Sequence, residues 1–185
     1  MMDQIKSTLD EQMTKAIKSL QREFTRVRTG RANANILDGV TVDYYGSPTP
    51  VNQVGQVSTP EARLLQIQPF DKTILGDIEK AIINANLGVT PSNDGNFIRI
   101  QFPALTEEKR KDLVREVRKM GEDAKIAIRN ARRDQNEVVK KAEKNKEITE
   151  DDLKKFQDEI QKITDKYVGD VDSTVEAKEK ELLTV

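Results

Sequence analysis

The chain has 185 residues, 34% of them charged and only 4% aromatic, a balance that favours long solvated helices over a thick globular core. It contains neither cysteine nor histidine, which excludes disulfides, thiolate nucleophiles, imidazole bases and the usual zinc ligands. The formal net charge of −1 hides a segregation: +3 over residues 1–31, −3 over 32–105, +4 over 106–148 and −5 over 149–185.

The first segment steps by threes and fours through Ile5, Leu9, Met13, Ile17, Leu20, Phe24 and Val27, the period of an amphipathic helix, and Thr29-Gly30 is expected to end it. Nothing in Met1–Leu20 forms a long apolar run, and no stretch reaches the ~20 apolar residues that span a bilayer, so a cytoplasmic chain is expected. Alternation over Val40, Val42 and Tyr44 then predicts a half-buried strand, which the turn-rich run from Tyr45 to Pro50 should break. Leu64–Gln68 and Phe97–Phe102 read as further strands, the second after an Asp94-Gly95 turn. Between them Asp71 is placed to cap a helix whose apolar face is Ile74, Leu75, Ile78, Ala81, Ile82 and Ala85, closed by Asn86-Leu87-Gly88. Residues 30–105 therefore read as a small inserted β/α/β domain. Ser92-Asn93-Asp94-Gly95 reads as a loop, and Tyr44 and Tyr45 as strand residues half-buried by packing rather than as a stacking platform.

From Thr106, placed to serve as an N-cap, the chain returns to helix, with Leu113, Val117, Met120, Ala124, Ala127, Ala131 and Val138 as a heptad-like seam. Unbroken to Asn145, that helix measures about 58 Å at ~1.5 Å per residue. A third helix starting near Thr149 carries Leu153, Phe156, Ile160, Ile163, Tyr167, Val171, Val175 and Leu182. Three such stripes bury one another in a bundle, so the expected architecture is α+β: an elongated three-helix bundle (1–29 and 106–185) with the 30–105 domain inserted. Two crossings, Thr29-Gly30-Arg31 and Pro103-Ala104-Leu105, join the parts and permit a hinge of restricted direction.

The second helix holds the most informative pattern. Lys111, Arg115, Arg118, Lys125, Arg129, Arg132 and Lys140 recur at helical spacing, and by heptad count this stripe lies opposite the seam and faces solvent. Arginine forks two hydrogen bonds onto a phosphate and stacks on bases, so a row of them on a stiff rod suits folded RNA, which is read by shape and phosphates. A solvated helix face is the alternative, and spacing alone does not separate the two. Arg22, Arg26, Arg28 and Arg31 form a second basic group, for which pairing with the acidic third helix is the competing reading. A coiled-coil scaffold that grips proteins is the competing function. Catalysis finds no footing: no P-loop appears, and the adjacent acids Asp151-Asp152 and Glu107-Glu108 are accounted for by the helix dipole rather than by a metal. No cofactor is expected.

Val27-Arg28-Thr29-Gly30-Arg31-Ala32, Asp43-Tyr44-Tyr45-Gly46, Pro60-Glu61-Ala62-Arg63, Glu79-Lys80-Ala81-Ile82, Asp94-Gly95 with Ile98-Arg99, Leu105-Thr106-Glu107-Glu108, Ala127-Ile128-Arg129-Asn130 and Arg132-Arg133-Asp134 follow in order. Together they make the chain resemble the bacterial ribosome recycling factors over essentially its whole length. The resemblance implies a factor that binds the post-termination ribosome against large-subunit RNA near the peptidyl-transferase region. With elongation factor G and GTP it would promote subunit separation and release of messenger and transfer RNA. The GTP would be hydrolysed by the partner, the inserted domain would face that translocase, and the factor would act as a monomer away from any membrane. The RNA-contacting positions it implies are Arg28, Gly30, Arg31, Arg110, Arg129, Arg132 and Arg133. Two departures stand out: Pro103-Ala104 where the family often has paired prolines, and Gln135 where alanine is common.

Overall fold

A computed structural model describes residues Met1–Thr184. In chain order it contains α1 (Met2–Arg26), a 3₁₀ turn (Ala34–Leu37), β1 (Thr41–Tyr44), β2 (Ser47–Pro50), α2 (Val51–Val54), β3 (Gly55–Glu61), β4 (Leu64–Pro69), a second 3₁₀ turn (Lys72–Ile74), α3 (Leu75–Asn84), β5 (Pro91–Asn93), β6 (Ile98–Gln101), α4 (Glu107–Lys144) and α5 (Glu150–Leu183). These gather into two compact units, one of Met1–Val27 with Glu108–Thr184 and one of Arg28–Glu107.

The first unit is the three-helix bundle. α1 buries Ile5, Leu9, Met13, Leu20 and Phe24, while α5 contributes Ile160, Thr164, Tyr167, Val171 and Leu182. α1 and α5 run parallel: Lys6 pairs with Glu159 at 3.2 Å, and the Tyr167 hydroxyl donates to Asp10 at 3.0 Å. α1 stops at Arg26, with Val27 extended, rather than at the expected Thr29-Gly30. The following residues take tertiary bonds instead of helical ones: the Ala32 N–H bonds the Ala62 carbonyl, and the Arg28 guanidinium bonds the Leu87 carbonyl. α5 starts where expected, and the structure adds a capping box: the Thr149 hydroxyl accepts from the Asp152 N–H at 3.1 Å while the Asp152 carboxylate accepts from the Thr149 N–H at 3.2 Å.

The buried face of α4 differs from the straight heptad expected of it. Val117, Gly121, Ala124, Ile128, Ala131, Val139 and Ala142 point inward, whereas Ala127 and Val138 are exposed. The steps alternate four and three as far as Ala131, and the next are taken as an eleven-residue stride to Ala142. An eleven-residue repeat drifts the opposite way to a heptad, so the line of packing shifts phase there. Gly121 is part of this seam because nothing larger fits: an added Cβ would lie 2.5 Å from Val175 Cγ2.

The second unit has its own core, centred on Leu65, Ile67, Ile78, Ile82, Ile98 and Ile100. Its main sheet is antiparallel in the order β3-β4-β6-β5, with α3 packed on it, and β1 and β2 form a separate hairpin. The run from Tyr45 to Pro50, expected to break the chain, is a turn only at Tyr45-Gly46 and then the strand β2. Strand formation survives Pro48 and Pro50 because the ladder bonds fall on the alternate residues Ser47 and Thr49. Ser92 and Asn93, expected in a loop, are strand residues paired with Arg99 and Ile98. Tyr44 is half-buried as expected, but Tyr45 sits at φ 51° on the turn and is 86% exposed.

Candidate nucleic-acid interface

The basic residues of α4 separate into two groups by what α5 offers them. Arg118 is clamped by Glu179, Nε to Oε1 at 2.5 Å and Nη2 to Oε2 at 3.2 Å, and this hydrogen bonding pushes its guanidinium pKa up further. The Lys125 side chain, only 15% exposed, lies 2.5 Å from Asp172 and 3.1 Å from Glu122. Its pKa is raised, first by the bond to Asp172. The heptad count has these two cations of the stripe facing solvent. Arg118 does so, its side chain 66% exposed while it reaches Glu179, whereas Lys125 turns in toward α5, whose carboxylates stand at the same heights along the bundle.

Further along α4 the partners change. Arg132 is half-buried and donates through Nη1 to the Gln161 amide oxygen at 3.2 Å, and Gln161 donates onward to Asp165 at 2.7 Å. A neutral amide fixes this guanidinium without cancelling its charge. Arg129 and Arg133 are exposed and have no hydrogen bond or ion pair to any described residue. With Asn130, Asn136, Lys140 and Gln161 they line a single surface cleft in which Glu137 is the one acid. That makes four cationic side chains against one carboxylate, on a helix that cannot fold around its charge. Such a surface attracts polyanions.

The other expected RNA-binding residues fall elsewhere. Arg110 lies on α4, nineteen positions before Arg129 and so about 28 Å away along the helix axis. It is half-buried, with its Nε enclosed and unbonded. Arg28, Gly30 and Arg31 belong to the second unit. The Arg28 guanidinium lies against Gly88, where a Cβ would come within 3.0 Å of Nη1, so Gly88 gives this arginine its place. Gly30 is buried at φ 80°, a left-handed conformation suited to glycine, and Arg31 is exposed. The structure thus assembles Arg129, Arg132 and Arg133 in one cleft, with Arg110 farther along the same helix and Arg28, Gly30 and Arg31 in the other unit. Gln161 and Asn136 complete the cleft, and sequence reasoning misses both. Gln161 comes from another helix at no motif spacing, whereas Asn136 is legible only as a gap in the basic row.

Chain-wide comparison places the protein among the non-enzymatic translation factors. A family model described as "Ribosome recycling factor" matches residues 20–183. Ribosome-recycling factors of Bacillus cereus strain AH187 and Bacillus thuringiensis strain Al Hakam are 58% and 57% identical to it over 182 residues, covering 98% of each chain. A solution structure of the ribosome recycling factor superposes at a TM-score of 0.78, with 38% identity over 100% of this chain and 98% of that one. A second solved chain, from models of the T. thermophilus ribosome recycling factor and E. coli elongation factor G bound to the E. coli post-termination complex, gives a TM-score of 0.65 at 41% identity and 99% coverage of both. The chain belongs to the ribosome recycling factor family, and its function is ribosome recycling.

Proposed function

We propose that the α4 cleft is the anchor by which this protein docks on large-subunit ribosomal RNA near the peptidyl-transferase region. Arg129, Arg132 and Arg133 take phosphates there. Arg110 extends the interface along the helix, and Arg28, Gly30 and Arg31 add to it from the second unit. Elongation factor G with GTP then acts on the docked protein and hydrolyses the nucleotide itself. The Thr29-Gly30-Arg31 and Pro103-Ala104-Leu105 crossings serve as hinge strands, so that force applied to the 30–105 domain reaches the interface between the ribosomal subunits. The protein works as a monomer in the cytoplasm. Among the described residues, no helix is long and apolar enough to cross a membrane.

The partners of the α4 cations carry this reading. α5 neutralises Arg118 and Lys125 with carboxylates, but meets Arg132 with an amide and leaves Arg129 and Arg133 unpaired. Charge left uncompensated at one place on a rigid helix is a binding surface waiting for anions, whereas a merely solvated face would be interspersed with acids.

Ribosome pelleting over a salt series, followed by subunit splitting with elongation factor G and GTP, tests it. Binding should weaken steeply with salt, and Arg129→Gln or Arg133→Gln should lower the slope of log affinity against log salt by roughly 0.7–0.9 for each phosphate no longer neutralised. Arg132→Gln should weaken binding about tenfold or more, since a hydrogen bond to a charged group is worth roughly 1.5–3 kcal/mol. Unchanged affinity and slope in all three variants, with helical content intact, would reject the cleft as the anchor.

A further inference from the structure

The β1–β2 hairpin has one closed edge and one open edge. Tyr45 and Gly46, at φ 51° and 80°, make a two-residue turn, so Tyr44 and Ser47 are a hydrogen-bonded pair, as are Val42 and Thr49. The parity continues: the Val51 N–H donates to the Val40 carbonyl at 3.2 Å. Pro48 and Pro50 therefore aim their ring nitrogens away from β1, and the outer edge of β2 has no donors at those positions. By the same parity, Thr41 and Asp43 aim their N–H and C=O groups away from β2. These four main-chain groups bond no described residue, and both side chains are exposed.

The open edge faces a groove rather than bulk solvent alone. Thr41 and Asp43 line one wall, and Asp77, Lys80 and Asn84 of α3 line the other, around a cleft of about 440 Å³. We infer that the free edge of β1 takes up an extended, cationic segment of a protein partner as an added strand in the β1–α3 groove. Two donors and two acceptors at strand spacing match another extended main chain, the recognition mode of strand addition. The side-chain preference follows from charge: Asp43 and Asp77 outweigh Lys80 in the groove, and residues 32–105 carry a net −3. That charge also argues against a second copy, because pairing β1 with β1 would bring two acidic surfaces together. The inference concerns the second unit and stands apart from the α4 cleft.

The test uses the whole protein without ribosomes and a short capped peptide of alternating lysine and valine. Amide exchange followed by NMR should slow at Thr41 and Asp43 as the peptide saturates. The same peptide N-methylated at alternate residues keeps its charge but loses its donors, and should bind about tenfold weaker or worse, the size of a missing hydrogen bond. Asp77→Lys, checked for folding by circular dichroism, should also weaken binding about tenfold. Equal binding of the methylated peptide would reduce the effect to charge attraction and overturn the inference. So would protection that appears at other residues, or protection at Thr41 and Asp43 that grows with protein concentration alone and tracks a dimer in sedimentation.

Discussion

Gly121 illustrates how a single atom fixes the distance between two helices. An alanine there would gain about 1 kcal/mol of helix propensity, yet its Cβ would stand 2.5 Å from the β-branched Val175, which has few rotamers to retreat into. The clash should win: Gly121→Ala is expected to destabilise the bundle by about 1–3 kcal/mol in urea denaturation, and Val175→Ala in the same chain should recover most of the deficit. A more stable Gly121→Ala protein would contradict the packing described. Thr149 acts through hydrogen bonds instead. Thr149→Ala removes the N-cap of α5 and should cost about 1 kcal/mol. The Thr149 hydroxyl, then its N–H, hold the Asp152 carboxyl below its ordinary pKa. A depressed pKa contributes stability above the unfolded carboxyl value and loses it as pH falls through the folded one. The gap in urea midpoint between wild type and Thr149→Ala should therefore narrow from about pH 7 to about pH 2.

At the scale of an element, α4 is legible in the sequence as a helix of the right length and only partly legible as a face. Ala127 and Ile128, like Val138 and Val139, are adjacent apolar pairs, so the periodicity fits two neighbouring stripes. Only the packed partner helices decide between them, and they bury Ile128 and Val139. The expected seam makes Ala127 a core residue, whereas the observed one makes it surface. Ile128→Ala should cost about 2–5 kcal/mol and Ala127→Ser less than about 0.5 kcal/mol beyond its propensity change; comparable costs in thermal unfolding would restore the straight heptad. Arg118 and Lys125 belong to α5 rather than to the free basic surface because Glu179 and Asp172 stand level with them. β2 and β3 are illegible for another reason. Ser47-Pro48-Thr49-Pro50 has no apolar alternation, and Ser58–Glu61 at the end of β3 is exposed throughout, so pairing partners rather than side-chain pattern make them strands. Arg129 and Arg132 can be chosen from spacing, but Gln161, which holds Arg132, enters from a distant part of the chain.

On the scale of the whole molecule, each unit buries its own apolar residues, and damage should stay where it is made. Ile100 is fully buried in the sheet core of the second unit. Ile100→Ala should cost about 2–5 kcal/mol there and speed amide exchange in β4 and β6, while exchange in α1, α4 and α5 keeps its wild-type rate. Accelerated exchange throughout would mean a single cooperative body. The acidic surface of α5 bears on kinetics as well. Having spent some carboxylates on Arg118 and Lys125, this helix still exposes Asp151, Asp158, Asp165, Asp170 and Glu176. A polyanion drifting toward that flank is repelled before touching it, while one approaching the cleft of α4 is drawn in. On the docking proposed above, wrong-way encounters are discarded at about a Debye length, roughly 8 Å in physiological salt, and the bundle arrives already oriented.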